Sequence, residues 1–477
     1  MVLNNAKAQK NNNQKPKRDN SKSDRQPKVA GIAVRQAALR MLGAVIDKAT
    51  SLDGLTDNEH GHPQYLALDM RDRSLVRAIL GAALRNRGAI DNAIDQFVDR
   101  PLPQNASALK HLIHISAAQI LYLDVPDHAT INLAVTIAKF DPRLTRFSGL
   151  VNAILRRFTR EKDAILQQDD VLSNVPLWFA QMLERDYGKE KAQEIIKAQA
   201  YEPPLDITAS GDVNAIAQEL GGEVLPFQSI RIAEVDCSIP ELPGFAEGKW
   251  WVQDVAASLP ARLMKAGKGQ NIADLCAAPG GKTAQLANTG ANVTAVDASK
   301  NRMKRLIANM ARLNLNVATY NGELQDFKPE QPFDALLLDA PCSSTGTIRR
   351  HPDVLWTKSL DEIGRLADLQ LQLLEKSIDL VKIGGTILFS NCSLSKREGE
   401  RLVAKFLKNR TNVALVPFTV EELCQSFDNM SDAAKNIYAD ILTDEGYLRT
   451  TPADLPNENP KLSGMDGFFA ARFKRLS

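Results

Sequence analysis

Between about residues 30 and 163, apolar side chains recur every three or four positions, as in Ala37, Ala38, Leu39, Leu42, Val45 and Ile46, and again in Leu75, Val76, Ile79, Leu80, Ala83 and Leu84. That period marks amphipathic helices. Prolines 101, 103, 126 and 142 fall between the runs, where they punctuate helices rather than break them. Residues 112–122 are almost wholly apolar, as the central helix of a bundle would be, and Asp127 is positioned to cap the helix that follows. An all-helical first domain is predicted. His128 has no partner nearby in sequence and reads as a helix-start residue rather than a base.

The pattern changes after residue 170. Residues 170–250 combine a predicted helix over 177–199 with short β-like runs at 205–208 and 229–232, jointed at Pro203, Pro204, Pro240 and Pro243. A small α+β connector is expected there, with Cys237 in a structural role. From 270 onward, strand-length apolar runs at 271–275, 292–297, 335–339, 386–390 and 467–473 alternate with helical patterns such as 282–288 and 300–313. This alternation predicts a doubly wound α/β sheet. Residues 416–463 read as irregular, with no role assigned.

At 477 residues the chain exceeds one ordinary core, and three domains are expected. No apolar run approaches the ~20 residues of a membrane helix, and the first residues lack the apolar stretch of a secretion signal. A cytoplasmic protein with no membrane association is expected. Five cysteines without C-x-x-C spacing predict reduced thiols, with no metal site. The net charge of +2 hides a basic tail, since residues 1–28 hold eight Lys or Arg against Asp19 and Asp24. Such a segment is predicted to be disordered, serving as a solubilising tail or as an arm that seeks RNA phosphates.

The run Asp274, Leu275, Cys276, Ala277, Ala278, Pro279, Gly280, Gly281, Lys282, Thr283 reads as strand, Gly-rich turn and helix start. Small residues there let backbone approach a ligand closely. A P-loop would need glycine where Cys276 stands, and the G-x-G-x-x-G of dinucleotide sites is absent. An adenosine-type cofactor without a pyrophosphate remains. Asp297 ends the next strand about twenty residues on, where a carboxylate can hold a ribose diol.

Two further cysteines, fifty residues apart, end predicted strands: Cys342 in Asp339-Ala340-Pro341-Cys342 and Cys392 in Asn391-Cys392-Ser393. Ligands of open α/β sheets bind beyond the carboxyl ends of the strands, so both thiols stand where chemistry is done. Paired thiols suggest covalent catalysis. One thiolate can attack an electrophilic carbon, an acid such as Asp339 can drain the charge that develops, and a second thiolate or a water can serve as the base for release. Local sequence leaves open which thiol attacks.

The stretch from Arg35 to Arg160, including Asp99-Arg100-Pro101-Leu102, resembles the helical RNA-binding domain shared with the antitermination factor NusB. Asp339-Ala340-Pro341-Cys342 resembles motif IV of base methyltransferases, and Asn391-Cys392-Ser393 resembles the T-C-S motif of RNA cytosine-5 methyltransferases. Residues 342–356 and 467–473 follow the same pattern. From about 35 to 477 the chain thus resembles the RsmB (Sun) family of 16S rRNA cytosine-5 methyltransferases.

The resemblance implies four segments: the 1–28 tail, a NusB-like domain over 29–165, the connector over 170–250, and a Rossmann-like class I methyltransferase domain over 251–477. It implies S-adenosyl-L-methionine as cofactor, 16S rRNA as substrate and Cys392 as the attacking thiol, with Cys342 serving release and Asp339 beside them. A monomer is expected. Cofactor contacts carry over to Cys276, Ala277, Ala278, Pro279, Gly280, Gly281, Lys282, Asp297 and Asp339, and to Glu323, where the family has Asp. Asn391 stands where the family has Thr. The 205–208 run lacks the Arg and Asn usual after Pro-Pro-Leu, which weakens an RNA role there. Arg349, Arg350 and His351 offer cations for a phosphate next to an unstacked target base. A non-enzymatic RNA-binding module is disfavoured by the intact Cys342, Cys392 and Asp339. An amino-methyltransferase would carry an aromatic residue where Cys342 stands.

Overall fold

The computed structural model describes residues 29–103, 105–168, 171–235, 237–408 and 410–477, so the basic 1–28 tail lies outside it. Helices Ile32–Lys48, Met70–Arg85, Arg87–Phe97, Ser107–Tyr122, Asp127–Phe140 and Ser148–Arg160 enclose one apolar core. Ser107–Tyr122 runs through its centre, every residue from His111 to Leu121 being buried. Its two histidines are partnered, His111 with Asp47 at 3.0 Å and His114 with Asp91 at 3.1 Å. Asp127 does not cap its helix. Pro126 occupies the cap position, and Asp127 is the first helical residue, where the macrodipole favours a negative charge.

The helix predicted over 177–199 is two helices, Leu177–Tyr187 and Lys189–Ala198, because Gly188 sits at φ 81° and reverses the chain between them. Strands β1 (Leu205–Ala209), β2 (Glu223–Val224), β3 (Ile230–Ile232) and β4 (Trp250–Val252) form an antiparallel sheet in the order β2-β3-β1-β4. Asp206 is buried on β1 in a two-pronged pair with Arg231, both contacts at 2.8 Å.

The third unit is one eight-stranded sheet built from β5 (Asn271–Leu275), β6 (Asn292–Asp297), β7 (Ala318–Asn321), β8 (Phe333–Asp339), β9 (Val381–Asn391), β10 (Val413–Leu415), β11 (Leu448–Arg449) and β12 (Phe469–Arg475). The order is β10-β12-β9-β8-β5-β6-β7, with β11 paired to β12. β5 to β9 run parallel, and β10 to β12 join antiparallel. The central strands β5 and β8 are largely apolar and buried, as expected of strands covered on both faces, whereas the edge strand β7 is mostly exposed. Strand order reverses between β5 and β8, and a crevice opens at such a switch point.

Two stretches depart from the sequence reading. Residues 416–463 fold as helices Val420–Ser426 and Asp432–Asp440 plus β11. Phe427 and Tyr438 both pack on Phe227 with ring centroids 5.4 Å away, so this region covers the connector. Helices of 7 and 9 residues show too few turns to display a period. The last strand starts at Phe469 rather than 467, because the Gly467 N–H donates to the Gly346 carbonyl in a loop contact. Among the described residues no helix is long and apolar enough to cross a membrane.

Candidate active site

The turn after β5 passes through Cys276 at φ 60° and Gly280 at φ 105° before helix Gly281–Asn288 begins. Asp297, at the end of β6, braces it: one carboxylate oxygen accepts from the Ala278 N–H at 3.1 Å, the other from the Ser299 N–H at 2.8 Å. Beyond the turn lies a cavity of about 540 Å³. Ala277, Ala278, Pro279, Gly280, Gly281 and Lys282 line it, with Asp339 from β8 and Trp251 and Gln253 from the connector side. Cys276, Asp297 and Glu323 do not reach its wall. Asp297 acts on it through the turn. Glu323 is exposed after β7, and the Gly322 N–H donates to the Asp297 carbonyl.

Asp274 also lines the cavity, and sequence reasoning passed over it. Its Oδ2 accepts from Thr283 Oγ1 at 2.6 Å, whereas Oδ1 is buried without a partner. Burial pushes this carboxyl up to about 7. The available signal was its place one residue before the end of a strand that leads into a Gly-rich turn. Burial likewise pushes the Cys276 thiol up to about 12, helped by Asp297, Asp339 and Asp274, so this thiol stays protonated. It is a poor nucleophile.

β8 and β9 are parallel neighbours, with Asp339 opposite Ser390, so the residues following them emerge side by side. Cys342 Sγ and Cys392 Sγ lie 3.3 Å apart, both partly exposed. Ser344 Oγ is 3.6 Å from Cys392 and 4.0 Å from Cys342. The two thiols share a hydrogen bond in which either sulfur can donate; with Cys342 as the donor it lowers Cys392, although burial opposes it. The same bond, together with burial, raises Cys342. Asp339 is held at both oxygens, by Lys282 Nζ at 2.8 Å and by the Ser390 hydroxyl at 2.9 Å. One salt bridge therefore joins the cofactor turn to the thiol side.

Residues 261–474 match the family described as 16S rRNA methyltransferase RsmB/F, and residues 33–160 match the NusB family. Ribosomal RNA small subunit methyltransferase B of Xanthomonas campestris pv. campestris is 35% identical over 81% of this chain and 90% of its own length. The protein of the same name from Vibrio cholerae is 31% identical over 80% of this chain and 91% of its own. The chain belongs to the RsmB/F family of 16S rRNA methyltransferases. A solved structure, that of PH0851, shares the fold, with a TM-score of 0.65 at 22% identity, covering 94% of this chain and 100% of that one.

Where this RsmB/F member departs from the expected pattern, the structure gives reasons. Asn391 donates to the Glu398 carbonyl at 2.8 Å and Gln370 Oε1 at 3.1 Å, and accepts from the Ser393 N–H at 3.0 Å. Its amide organises the loop that carries Cys392. The phosphate-binding expectation for Arg349, Arg350 and His351 fails. Arg349 is buried, Arg350 bridges Asp254 at 2.6 Å and Asp466 at 3.1 Å, and His351 pairs with Asp53 at 3.2 Å. Arg350 ties two segments of the α/β unit together, whereas the seam to the helical unit is made by His351, by the Arg349 carbonyl, which accepts from Arg85 Nη2 at 2.9 Å, by Trp356, whose Nε1 donates to the Leu84 carbonyl, and by Asp353, which accepts from the Leu52 N–H. Three consecutive polar residues look solvated in sequence, and only their carboxylate partners reveal the seam. Cys237 is exposed and far from this arrangement in sequence.

Proposed function

We propose that this protein transfers a methyl group from S-adenosyl-L-methionine to carbon 5 of a cytosine in 16S rRNA through a covalent cysteine–cytosine adduct. The observation that carries the reading is the pair of thiols 3.3 Å apart at the ends of adjacent strands, beside the Lys282–Asp339 pair and the cavity. Family membership supports rRNA as substrate, and the helical domain supports an RNA-binding role.

The cavity's residues fit the cofactor. The orphaned Oδ1 of Asp274 is a buried acceptor suited to an ammonium donor, and the Ala277–Gly281 backbone offers a small-residue wall for an adenosine-type ligand. Asp297 keeps that wall in shape. When bound, S-adenosyl-L-methionine supplies the electrophilic methyl.

The likeness of Asn391-Cys392-Ser393 to the T-C-S motif of RNA cytosine-5 methyltransferases assigns attack to Cys392, and the hydrogen bond shared by the two thiols 3.3 Å apart favours one thiolate in the pair. Its addition to carbon 6 makes carbon 5 nucleophilic, and the negative charge that develops on the ring is neutralised by a proton delivered to nitrogen 3 through the Lys282–Asp339 pair. Once Cys392 sulfur is bonded to carbon, the hydrogen bond and charge that Cys392 contributed to raising Cys342 are gone, while burial and Glu398 still act on it. Cys342 then ionises more readily and accepts the carbon 5 proton, while the Cys392–carbon 6 bond breaks.

Cys392→Ser should abolish transfer, whereas Cys342→Ala should accumulate a protein–RNA adduct visible on a denaturing gel. An adduct from the first and none from the second would reverse the roles. Absence of methyl transfer to rRNA by the wild type would sink the enzyme reading. Mapping 5-methylcytosine in rRNA with and without the protein names the nucleotide.

A further inference from the structure

Glu398 is fully buried, yet among the described residues no cation pairs with it. Every partner of its carboxylate is a neutral donor. Oε1 accepts from the Ser343 N–H at 2.9 Å and Gln370 Nε2 at 2.8 Å. Oε2 accepts from the Ser343 hydroxyl at 2.5 Å and the Ser393 hydroxyl at 2.6 Å. Ser343 directly follows Cys342, and Ser393 directly follows Cys392. A single carboxylate therefore holds the residue after each thiol. Burying an acid without a counter-charge is costly unless all its acceptor sites are filled, and here four donors converge on it.

We propose that Glu398 is a positioning residue that clamps the Cys342 and Cys392 loops at their reacting separation, Ser343 and Ser393 being its two arms. Around it, Thr345 Oγ1 lies 3.2 Å from both serine hydroxyls and accepts from the Leu394 N–H at 3.0 Å. Gln370, from helix Leu360–Ser377, joins Glu398 to Asn391, so the clamp is anchored in the sheet's covering helix as well as in the loops. Between the two segments the backbone contributes the Ala340 N–H donated to the Ser390 carbonyl at 2.8 Å and the Gly346 N–H donated to the Cys392 carbonyl at 2.9 Å, neither of which holds Ser343 or Ser393. The negative charge of Glu398 adds to the Cys392 hydrogen bond and burial in keeping the Cys342 thiol protonated at rest. A clamp with two arms can be loosened one arm at a time, which a uniform core contact cannot.

The inference rests on the proposed roles of the two cysteines, and its test separates the two. With full-length protein, rRNA and S-adenosyl-L-methionine, Glu398→Ala should lower kcat by about 100-fold, the cost of sub-ångström misplacement of reacting groups, with KM for the cofactor unchanged. Glu398→Gln keeps the shape and one acceptor oxygen, and its amide NH2 can donate to the Ser343 and Ser393 hydroxyls, which turn to accept, so it should recover activity to within about tenfold of wild type. Ser343→Ala loosens the Cys342 arm and should accumulate adduct. Ser393→Ala loosens the Cys392 arm and should slow adduct formation. The serine variants carry the test should Glu398→Ala fail to fold, since each removes one hydroxyl. A kcat for Glu398→Ala within threefold of wild type, or no recovery by Glu398→Gln, would overturn the clamp. So would identical adduct behaviour of the two serine variants where Cys342→Ala and Cys392→Ser differ. If those two cysteine variants do not differ, the roles fall, and the Glu398→Ala against Glu398→Gln contrast in kcat still decides the clamp.

Discussion

Two buried carboxyl groups near the strand ends, Asp274 and Glu398, meet opposite fates. Glu398 has donors at both oxygens, while Asp274 has one at Oδ2 and none at its buried Oδ1. Hydrogen bonds to charged groups are worth about 1.5–3 kcal/mol each, and a buried unpaired acceptor costs about 1–3 kcal/mol. On the thiol side the polar groups are closed on one another, so that side holds geometry. On the cavity side one buried acceptor is left open, as the proposed cofactor site requires. The lesson is that the satisfaction of a buried charge, not its presence, separates framework from binding surface.

The largest effect that would break this contrast lies on the closed side. Gly346 is crossed so tightly that a Cβ there would run into the Gly467 carbonyl oxygen and the Cys392 carbonyl. Gly346→Ala should spread the two loops, abolish activity and destabilise the fold by about 1–3 kcal/mol, read by methyl transfer and denaturant midpoint. Near-wild-type activity would show that the closed side tolerates movement.

Asp274→Asn tests the open side. In the ligand-free protein the Asp274 carboxyl titrates near about 7, above its ordinary value, so the ionised form is the disfavoured one. The ionisation-linked cost is therefore absent below the ordinary carboxylate range and grows as pH rises toward 7. A cationic ligand prefers the ionised form. Affinity for S-adenosyl-L-methionine, followed by calorimetry between pH 5.5 and 7.5, should rise with pH in the wild type and be flat and about tenfold weaker at the upper end in Asp274→Asn. The same variant should stabilise the ligand-free protein above pH 7. Equal affinity of the two proteins at every pH would remove Asp274 from the site.

Thr283→Val is the finer probe. It removes the hydroxyl that favours the Asp274 carboxylate, so the pH at which affinity rises should move up by about half a unit to one unit. No movement would mean that Thr283 does not act on that charge.

Much of this was legible in residue order. The helical period before residue 163 and the strand–helix alternation after 270 anticipated both large units, because period reports which face is buried. The turn at 276–282 and the thiols at 342 and 392 stood out because small residues and strand-end cysteines are uncommon together. Less legible were residues whose meaning depends on a distant partner. Arg350 looked like a phosphate ligand until Asp254 and Asp466 stood against it. Asp274 and Glu398 looked like ordinary strand and loop acids. Residues 416–463 looked irregular because their short helices are held by Phe227 rather than by their own pattern.

Residue order alone determined the architecture, the cofactor turn and the candidate thiols, since these depend on local period, conformational freedom and chemical type. The tertiary structure decided how the thiols are poised and held, placing Cys342 and Cys392 3.3 Å apart across fifty residues of sequence, with one carboxylate behind both. The reason is physical. Hydrogen bonding and charge act through short distances, and only folding turns distance along the chain into distance in space.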